Sequence, residues 1–242
     1  MRLSIQAFEN KLIIDKSIVQ VISIRNADLF SKVVHSIFEL CNARDSDLDI
    51  DFIDNHEVNY SLSKTSECIL NPLFIDFGGK KFQSMLVTRF KELLQCCPDQ
   101  REDLENELRG IQKKILLCLS ELDVDCSVDE EWDAQRMIKS FGIGLDAEQT
   151  KGSTVAELLT EYLNIVSNLR LAEHYFFVGL NEYLDDDDLQ HFYQEALRHG
   201  LSVICIERNH DEVRTSFFCQ TLFVDDDFDE QIIHVKRENL QY

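Results

Sequence analysis

Tyr175-Phe176-Phe177-Val178-Gly179-Leu180 and Leu201-Ser202-Val203-Ile204-Cys205-Ile206 are two unbroken apolar runs of matching length. Neither alternates with polar residues, which is the pattern of strands buried on both faces, as in parallel sheets covered by helices. Between them, Asp185 to His199 places Leu189, Phe192, Tyr193, Ala196 and Leu197 at the three- and four-residue spacing of one helical face. Strand, helix, strand in this order is a crossover unit joining two parallel strands. The acids Asp185 to Asp188 fall where the helix begins, against the positive end of its dipole, and Gly200 falls where a left-handed residue closes the last turn.

Outward from this unit, the N-terminal part predicts a short hairpin of Leu3-Ser4-Ile5 with Leu12-Ile13-Ile14 and an alternating strand over Ile18 to Ile24. A helix follows, capped by Asn26 or Asp28, with Leu29, Phe30, Val33, Val34, Ile37, Phe38 and Cys41 on one face. Leu48 to Phe52 alternates like an edge strand, Asn55 to Ser66 reads as loop, and Cys68 to Ile75 reads as a third buried strand that Pro72 weakens. From Phe82 to Leu169 the strand signal nearly vanishes. Phe82 to Leu94 predicts one helix, broken at Cys97-Pro98, and Leu104 to Leu122 a long second one. Trp132 to Phe141 and Val155 to Leu169 predict a third and a fourth, and Phe217 to Val224 with Ile232 to Val235 form closing strands around the turn Asp225 to Asp229. The expected class is α/β: a head of residues 1–81 and 171–242 with a mixed or parallel sheet, and an inserted α-helical leg of residues 82–170.

Two prolines, eight glycines and 44% hydrophobic residues in 242 positions fit a compact globular chain and argue against disorder. No apolar run approaches the roughly 20 residues needed to cross a bilayer, and Met1 to Ile5 has no apolar signal-peptide core behind it, so a cytoplasmic location is expected. The eight cysteines include no CxxC pair, and Cys41, Cys68, Cys118, Cys205 and Cys219 fall in apolar stretches. That predicts reduced, mostly buried thiols and argues against a zinc site or a disulfide framework. The formal charge of −21 by itself repels nucleic acid and anionic membrane, and points to a basic partner, metal ions or solubility.

Two stretches could carry chemistry. Ile75-Asp76-Phe77-Gly78-Gly79-Lys80-Lys81 lies between a predicted strand and a predicted helix, where phosphate-binding loops lie. Such a loop takes the form GxxxxGK[ST], because a wide run of amides wraps the phosphates and the hydroxyl holds magnesium. Phe74 stands in place of the first glycine and Lys81 in place of the hydroxyl, so the topology is present without the chemistry and ATP hydrolysis is not expected. Glu121 to Glu131 is the second stretch, with six acids in eleven residues and no Lys or Arg from Ile115 to Gln135. It is not an EF-hand, since Val128 stands at the glycine position counted from Asp123 and Ala134 at the bidentate glutamate position. Two readings stay open: a hard-oxygen site for calcium or magnesium, or a solvated acidic start to the Trp132 helix. Basic residues are few but partly paired, and exposed lysines on helices are ordinarily solvated; they matter if oligomerisation collects them.

The order of elements resembles the CRISPR-associated spacer-acquisition proteins of type II-A systems, the Csn-two family. The resemblance rests on Phe30-Ser31-Lys32-Val33-Val34-His35-Ser36-Ile37-Phe38, Phe74-Ile75-Asp76-Phe77-Gly78, Glu121-Leu122-Asp123-Val124-Asp125, and Phe177 to Leu184 with Val203 to Glu207. It implies a non-enzymatic protein with a degenerate P-loop-like head and a helical leg. It further implies a homotetrameric ring, stabilised by calcium, that threads the ends of double-stranded DNA beside the integrase pair and the RNA-guided effector nuclease. By position, Glu121, Asp123 and Asp125 match the family's acidic segment and Asp129 extends it, so these are the metal-ligand candidates and Ca2+ the expected cofactor. Lys80, Lys81, Lys113, Lys114, Arg136, Lys139 and Arg170 are the candidates to face DNA. Where relatives carry consecutive lysines before the central strand, this chain has Leu169-Arg170-Leu171-Ala172-Glu173 and keeps only Arg170. A ring can still present lysines inward and carboxylates outward, binding phosphates and duplex shape without reading bases. The rival expectations are a nucleotide-using enzyme (a kinase or ATPase) and an acidic protein-interaction module.

Overall fold

The chain forms β1 (Arg2–Ile5), β2 (Leu12–Ile13), β3 (Val19–Ile24), α1 (Ala27–Cys41), β4 (Ile50–Ile53), α2 (Leu62–Thr65), β5 (Ser66–Ile69), α3 (Lys80–Cys96), α4 (Pro98–Leu119) and α5 (Ala134–Ser140). It continues with α6 (Val155–Leu169), β6 (His174–Val178), α7 (Asp186–Arg198), β7 (Ser202–Arg208), β8 (Cys219–Val224) and β9 (Glu230–His234). This computed structural model describes residues 1–54, 56–122, 126–127, 133–146, 152–209 and 213–234. Two compact units result, one of Met1–Ile75 with Thr150–Tyr242, the other of Asp76–Gln149.

The first unit is built on a six-stranded sheet in the order β5-β6-β7-β3-β8-β9. All neighbours run parallel except β9, which is antiparallel to β8. The two apolar runs become β6 and β7, side by side and buried along almost their whole length. One face of the sheet offers Ile22, Ile24, Phe176, Val178, Ile204 and Ile206 to α1 and to a small antiparallel sheet of order β2-β1-β4. On the opposite face, Tyr162 of α6 meets the rings of Tyr175 and Phe177 edge-on at 6.3 and 5.8 Å, and Phe192 of α7 meets Phe177 at 5.0 Å. Each such aromatic contributes about 2 kcal/mol by leaving water, and edge-to-face contact adds about 1 kcal/mol per pair. The helix ends follow the expected chemistry: the Asp185 carboxylate accepts from Asp188 N–H at the start of α7, and Gly200 takes a positive φ of 64° after its end.

The structure departs from the sequence-based expectation at several points. The alternation over Ile18 to Ile24 suggested a half-buried strand, yet every residue of β3 is buried, Gln20 and Ser23 included, because β7 and β8 flank it and other elements cover both faces. The third strand ends at Ile69. Pro72, which has no N–H for a ladder, instead opens a 3-10 turn over Pro72–Phe74 and leaves Phe74 82% exposed. Asn55 to Ser66 is not all loop, since α2 and the first residue of β5 lie within it. Helix α4 stops at Leu119, three residues short of Leu122. Trp132 lies outside the described residues, and α5 starts at Ala134, where the Asp133 carboxylate accepts from Arg136 N–H. Helix α6, expected in the leg, packs on β6 through Tyr162, so the sheet-bearing unit resumes at Thr150 rather than 171 and breaks off at Ile75 rather than 81. The cysteines are not mostly buried. None of the eight is in a disulfide, but only Cys205 and Cys219 are fully buried, while Cys96, Cys97, Cys118 and Cys126 are exposed.

The second unit packs α3 against α4 and α5, with Phe77, Phe82, Leu108, Ala134, Met137 and Ile138 as its buried apolar residues among those described. Phe77 and Phe82 bracket the start of α3 with ring centroids 5.4 Å apart. Leu93, Ile115, Leu117, Phe141 and Ile143 all remain more than half exposed. A cavity of about 330 Å³ opens between the helices, lined by Leu86, Phe90, Leu93, Leu104 and Ile138 among others. Among the described residues, no helix is long and apolar enough to cross a membrane.

Candidate functional site

In open α/β sheets, ligands gather outside the carboxyl ends of the parallel strands, so these ends decide whether a nucleotide can bind. Strand β3, an interior strand of the parallel set between β7 and β8, leads into α1 through Arg25 and Asn26 alone. Two residues cannot wrap a phosphate. The helix amides that would receive one are taken as well: the Asn26 side chain accepts from Asp28 N–H at 3.1 Å and Leu29 N–H at 3.0 Å. Arg25 stacks its guanidinium on the Phe223 ring of β8 at 5.2 Å. Replacing the cap by Asn26→Ala is expected to cost about 1 kcal/mol, read as a lower urea midpoint at unchanged slope.

The stretch read as a relic phosphate loop is not a strand-to-helix turn, because β5 ends at Ile69 and the 3-10 turn comes between. Its anion position is filled from within. The Asp76 carboxylate accepts from Gly78 N–H at 3.0 Å, and a Cβ added at Gly79 would meet the Asp76 carbonyl oxygen at 3.0 Å and its carboxylate at 3.1 Å. A carboxylate at this point repels an incoming phosphate. Lys80 and Lys81, at the first turn of α3, sit at the unfavourable end of that helix's dipole, so local stability does not account for their charge.

Next to β3, the carboxyl end of β7 carries a buried acid. Glu207 is 1% exposed, and its two carboxylate oxygens accept from Leu180 N–H at 3.0 Å and Asn181 N–H at 3.1 Å, fastening the turn that follows β6. Gly179 opens that turn with a positive φ of 67°. Burial pushes the Glu207 carboxyl up to about 7, against the pull of the two amide hydrogen bonds and of Arg214. Sequence reasoning used Glu207 only as the end of an apolar run. The available signal was an acid placed directly after Ile206 in a strand buried on both faces.

Of the four metal-ligand candidates, Glu121 is exposed just beyond α4, while Asp123, Asp125 and Asp129 lie outside the described residues. Their donors are all carboxylate oxygens, the hard ligands calcium takes, so the donor chemistry fits. Among the described residues, no three His, Cys, Asp or Glu side chains are grouped to hold a metal. Lys80, Lys81, Lys113, Lys114, Arg136, Lys139 and Arg170 are all exposed. The first six belong to the helical unit, with Arg136 and Lys139 one turn apart on α5. Arg170 belongs to the sheet-bearing unit, where it closes α6 with a left-handed backbone, φ 54°.

In solved structures, the chain is similar to the crystal structure of Stu0660 of Streptococcus thermophilus, with a TM-score of 0.56 and 11% identity over 98% of this chain and 76% of that one. It also matches a putative ABC transporter ATP-binding protein from Pyrococcus furiosus, with a TM-score of 0.42 and 12% identity over 91% of this chain and 97% of that one. No curated protein matches the sequence. Residues 43–228 match the family described as CRISPR-associated protein (Cas_Csn2), a span that runs from the end of α1 through the central sheet to the β8–β9 turn. With that span covering well over half its length, this chain belongs to the Cas_Csn2 family of CRISPR-associated proteins.

Proposed function

We propose that this CRISPR-associated protein serves spacer acquisition as a homotetrameric ring that binds the ends of linear double-stranded DNA, independently of sequence and with calcium, and that it is not an enzyme. The observation that favours this reading over a nucleotide-using enzyme is the self-capped turn between β3 and α1, whose amides are already satisfied by Asn26. The exposed apolar groove of the helical unit supports self-association, since a monomer rarely leaves such surface to water. The exposed cations of the same unit supply phosphate contacts in a chain whose overall charge of −21 would otherwise repel DNA. The integrase proteins and the RNA-guided nuclease are the partners this role implies.

Gel shifts with linear and circular duplexes of one sequence, each with calcium or with chelator, test the reading. Binding is expected for the linear duplex with calcium, and solution mass should report four chains. Lys113→Glu with Lys114→Glu should weaken binding by roughly tenfold or more and flatten the log–log salt dependence by about two if both lysines contact phosphates. Magnesium-dependent ATP turnover, lost on Lys80→Ala, would overturn the reading in favour of an enzyme.

A further inference from the structure

The exposed cysteines divide unevenly. All four belong to the helical unit, and two of them, Cys96 and Cys97, are consecutive. Free cysteine is among the most buried residue types, so two adjacent exposed thiols are an unusual surface. Cys96 is the last residue of α3. Cys97 ends α3 and begins α4, with φ −128° and ψ 74°, its N–H donating to Leu93 O and Pro98 starting the next helix. Inside a helix, consecutive side chains diverge by about 100° around the axis, as 3.6 residues per turn require. At Cys97 the backbone leaves the helix, so the fixed divergence of a continuous helix does not separate the two exposed side chains. Consecutive Cα atoms are about 3.8 Å apart, shorter than the roughly 4.4–6.8 Å that a disulfide spans, so closing the pair on itself is strained. A larger atom between the sulfurs relieves the strain.

We propose that Cys96 and Cys97 form a two-thiol capture site for a soft thiophilic centre, either monovalent copper or a trivalent arsenical, at the corner between α3 and α4. Soft thiolates select such centres over the hard cations that carboxylates take, so this site is chemically separate from the acidic segment. With an arsenical oxide, R–As=O, two S–H bonds break and two As–S bonds form. The oxide oxygen leaves as water with both thiol protons, and no oxidant or reductant is needed. With copper(I), the two protons pass to buffer and the ion takes their place. The second thiol binds at the high effective concentration set by its neighbour, which makes the pair about a hundredfold tighter than a lone thiol.

Phenylarsine oxide, followed by intact mass on the full chain, is the direct test. One adduct is expected that survives excess glutathione and is stripped by 2,3-dimercaptopropanol. It should be lost in Cys96→Ser and in Cys97→Ser, and kept in Cys118→Ser with Cys126→Ser. A parallel titration with copper(I) against a colorimetric chelator should show one tight equivalent with the same dependence, and its absence would restrict the site to arsenicals. These serines replace exposed side chains, so folding is expected to be unchanged by circular dichroism. A glutathione-resistant adduct of equal yield in the Cys96→Ser, Cys97→Ser double variant, or an adduct that glutathione removes from the unaltered protein, would overturn the assignment.

Discussion

Asp123→Asn with Asp125→Asn is expected to abolish the effect of calcium on both assembly and DNA binding. The ligand candidates for the proposed calcium are those the family resemblance implies, Glu121, Asp123, Asp125 and Asp129, four acids in a segment with no Lys or Arg from Ile115 to Gln135. Like charges this dense repel one another, and a divalent ion relieves the repulsion only while the carboxylates remain ionised. Oxygen sites change calcium affinity over many orders of magnitude with ligand charge count, so removing two of four carboxylates should weaken it at least about a hundredfold. Asparagine keeps size and one oxygen, which limits other damage. Titration calorimetry would read the loss of affinity, and gel shifts across a calcium series would read the loss of response. A double variant that assembles normally and responds to calcium as before would leave the cluster as a solvated acidic segment.

Glu207→Ala should be the most destabilising single substitution at the carboxyl ends of the strands. It strips the acceptor from two amides in the turn after β6, those of Leu180 and Asn181, and opens space beside a 0% exposed Leu180. Unpaired buried amides cost about 1–3 kcal/mol each, and a loss of about 3 kcal/mol lowers Tm by roughly 10 °C in a chain of this size. Glu207→Gln separates charge from shape. The native carboxyl is pushed up to about 7 by burial from its ordinary 4.5, so between those values the folded state holds a proton the unfolded state has lost. Its contribution is therefore complete below pH 4.5 and falls by about 3 kcal/mol as pH rises through 7. His174 works in the opposite sense. Burial pushes its ring down to about 4 from 6.5, so across that window the unfolded state takes a proton the folded state refuses, and stability rises with pH. The two slopes offset one another between about pH 4.5 and 6.5, giving a shallow profile for the unaltered protein. Glu207→Gln should expose the rising limb of His174 in urea midpoints measured across pH. Parallel profiles for the two proteins would show that Glu207 does not titrate there.

The β6–α7–β7 unit was legible from sequence because its signals are local: apolar runs, a helical face, an acidic first turn and Gly200. The helices of the second unit were legible for the same reason, down to the break at Cys97-Pro98. Strand order was not, because the pairing of Ser23 with Glu207 and with Phe223 is written in no window of neighbouring residues. That is why the sequence points to Gly78-Gly79, where glycines stand, as a phosphate turn, and not to Arg25-Asn26, which only the sheet identifies as the turn after an interior parallel strand. Gln20 and Ser23 misled in a related way, since a polar residue in a strand reads as a solvent face until a second layer covers it. In the acidic segment, composition reveals the oxygen donors but leaves their grouping to the fold.

The interior position of β3 also orders events at the ribosome. Gln20 pairs with Ile204 on one side and Gln220 on the other, 184 and 200 residues further along the chain. At about 5–20 residues per second, β3 waits roughly 10–40 s for its first neighbour. Meanwhile the helices of Asp76–Gln149, whose contacts are local, can complete their own packing. The nascent protein thus carries an unpaired, mostly apolar strand through most of its synthesis, a template for mispairing until β7 emerges and closes the sheet.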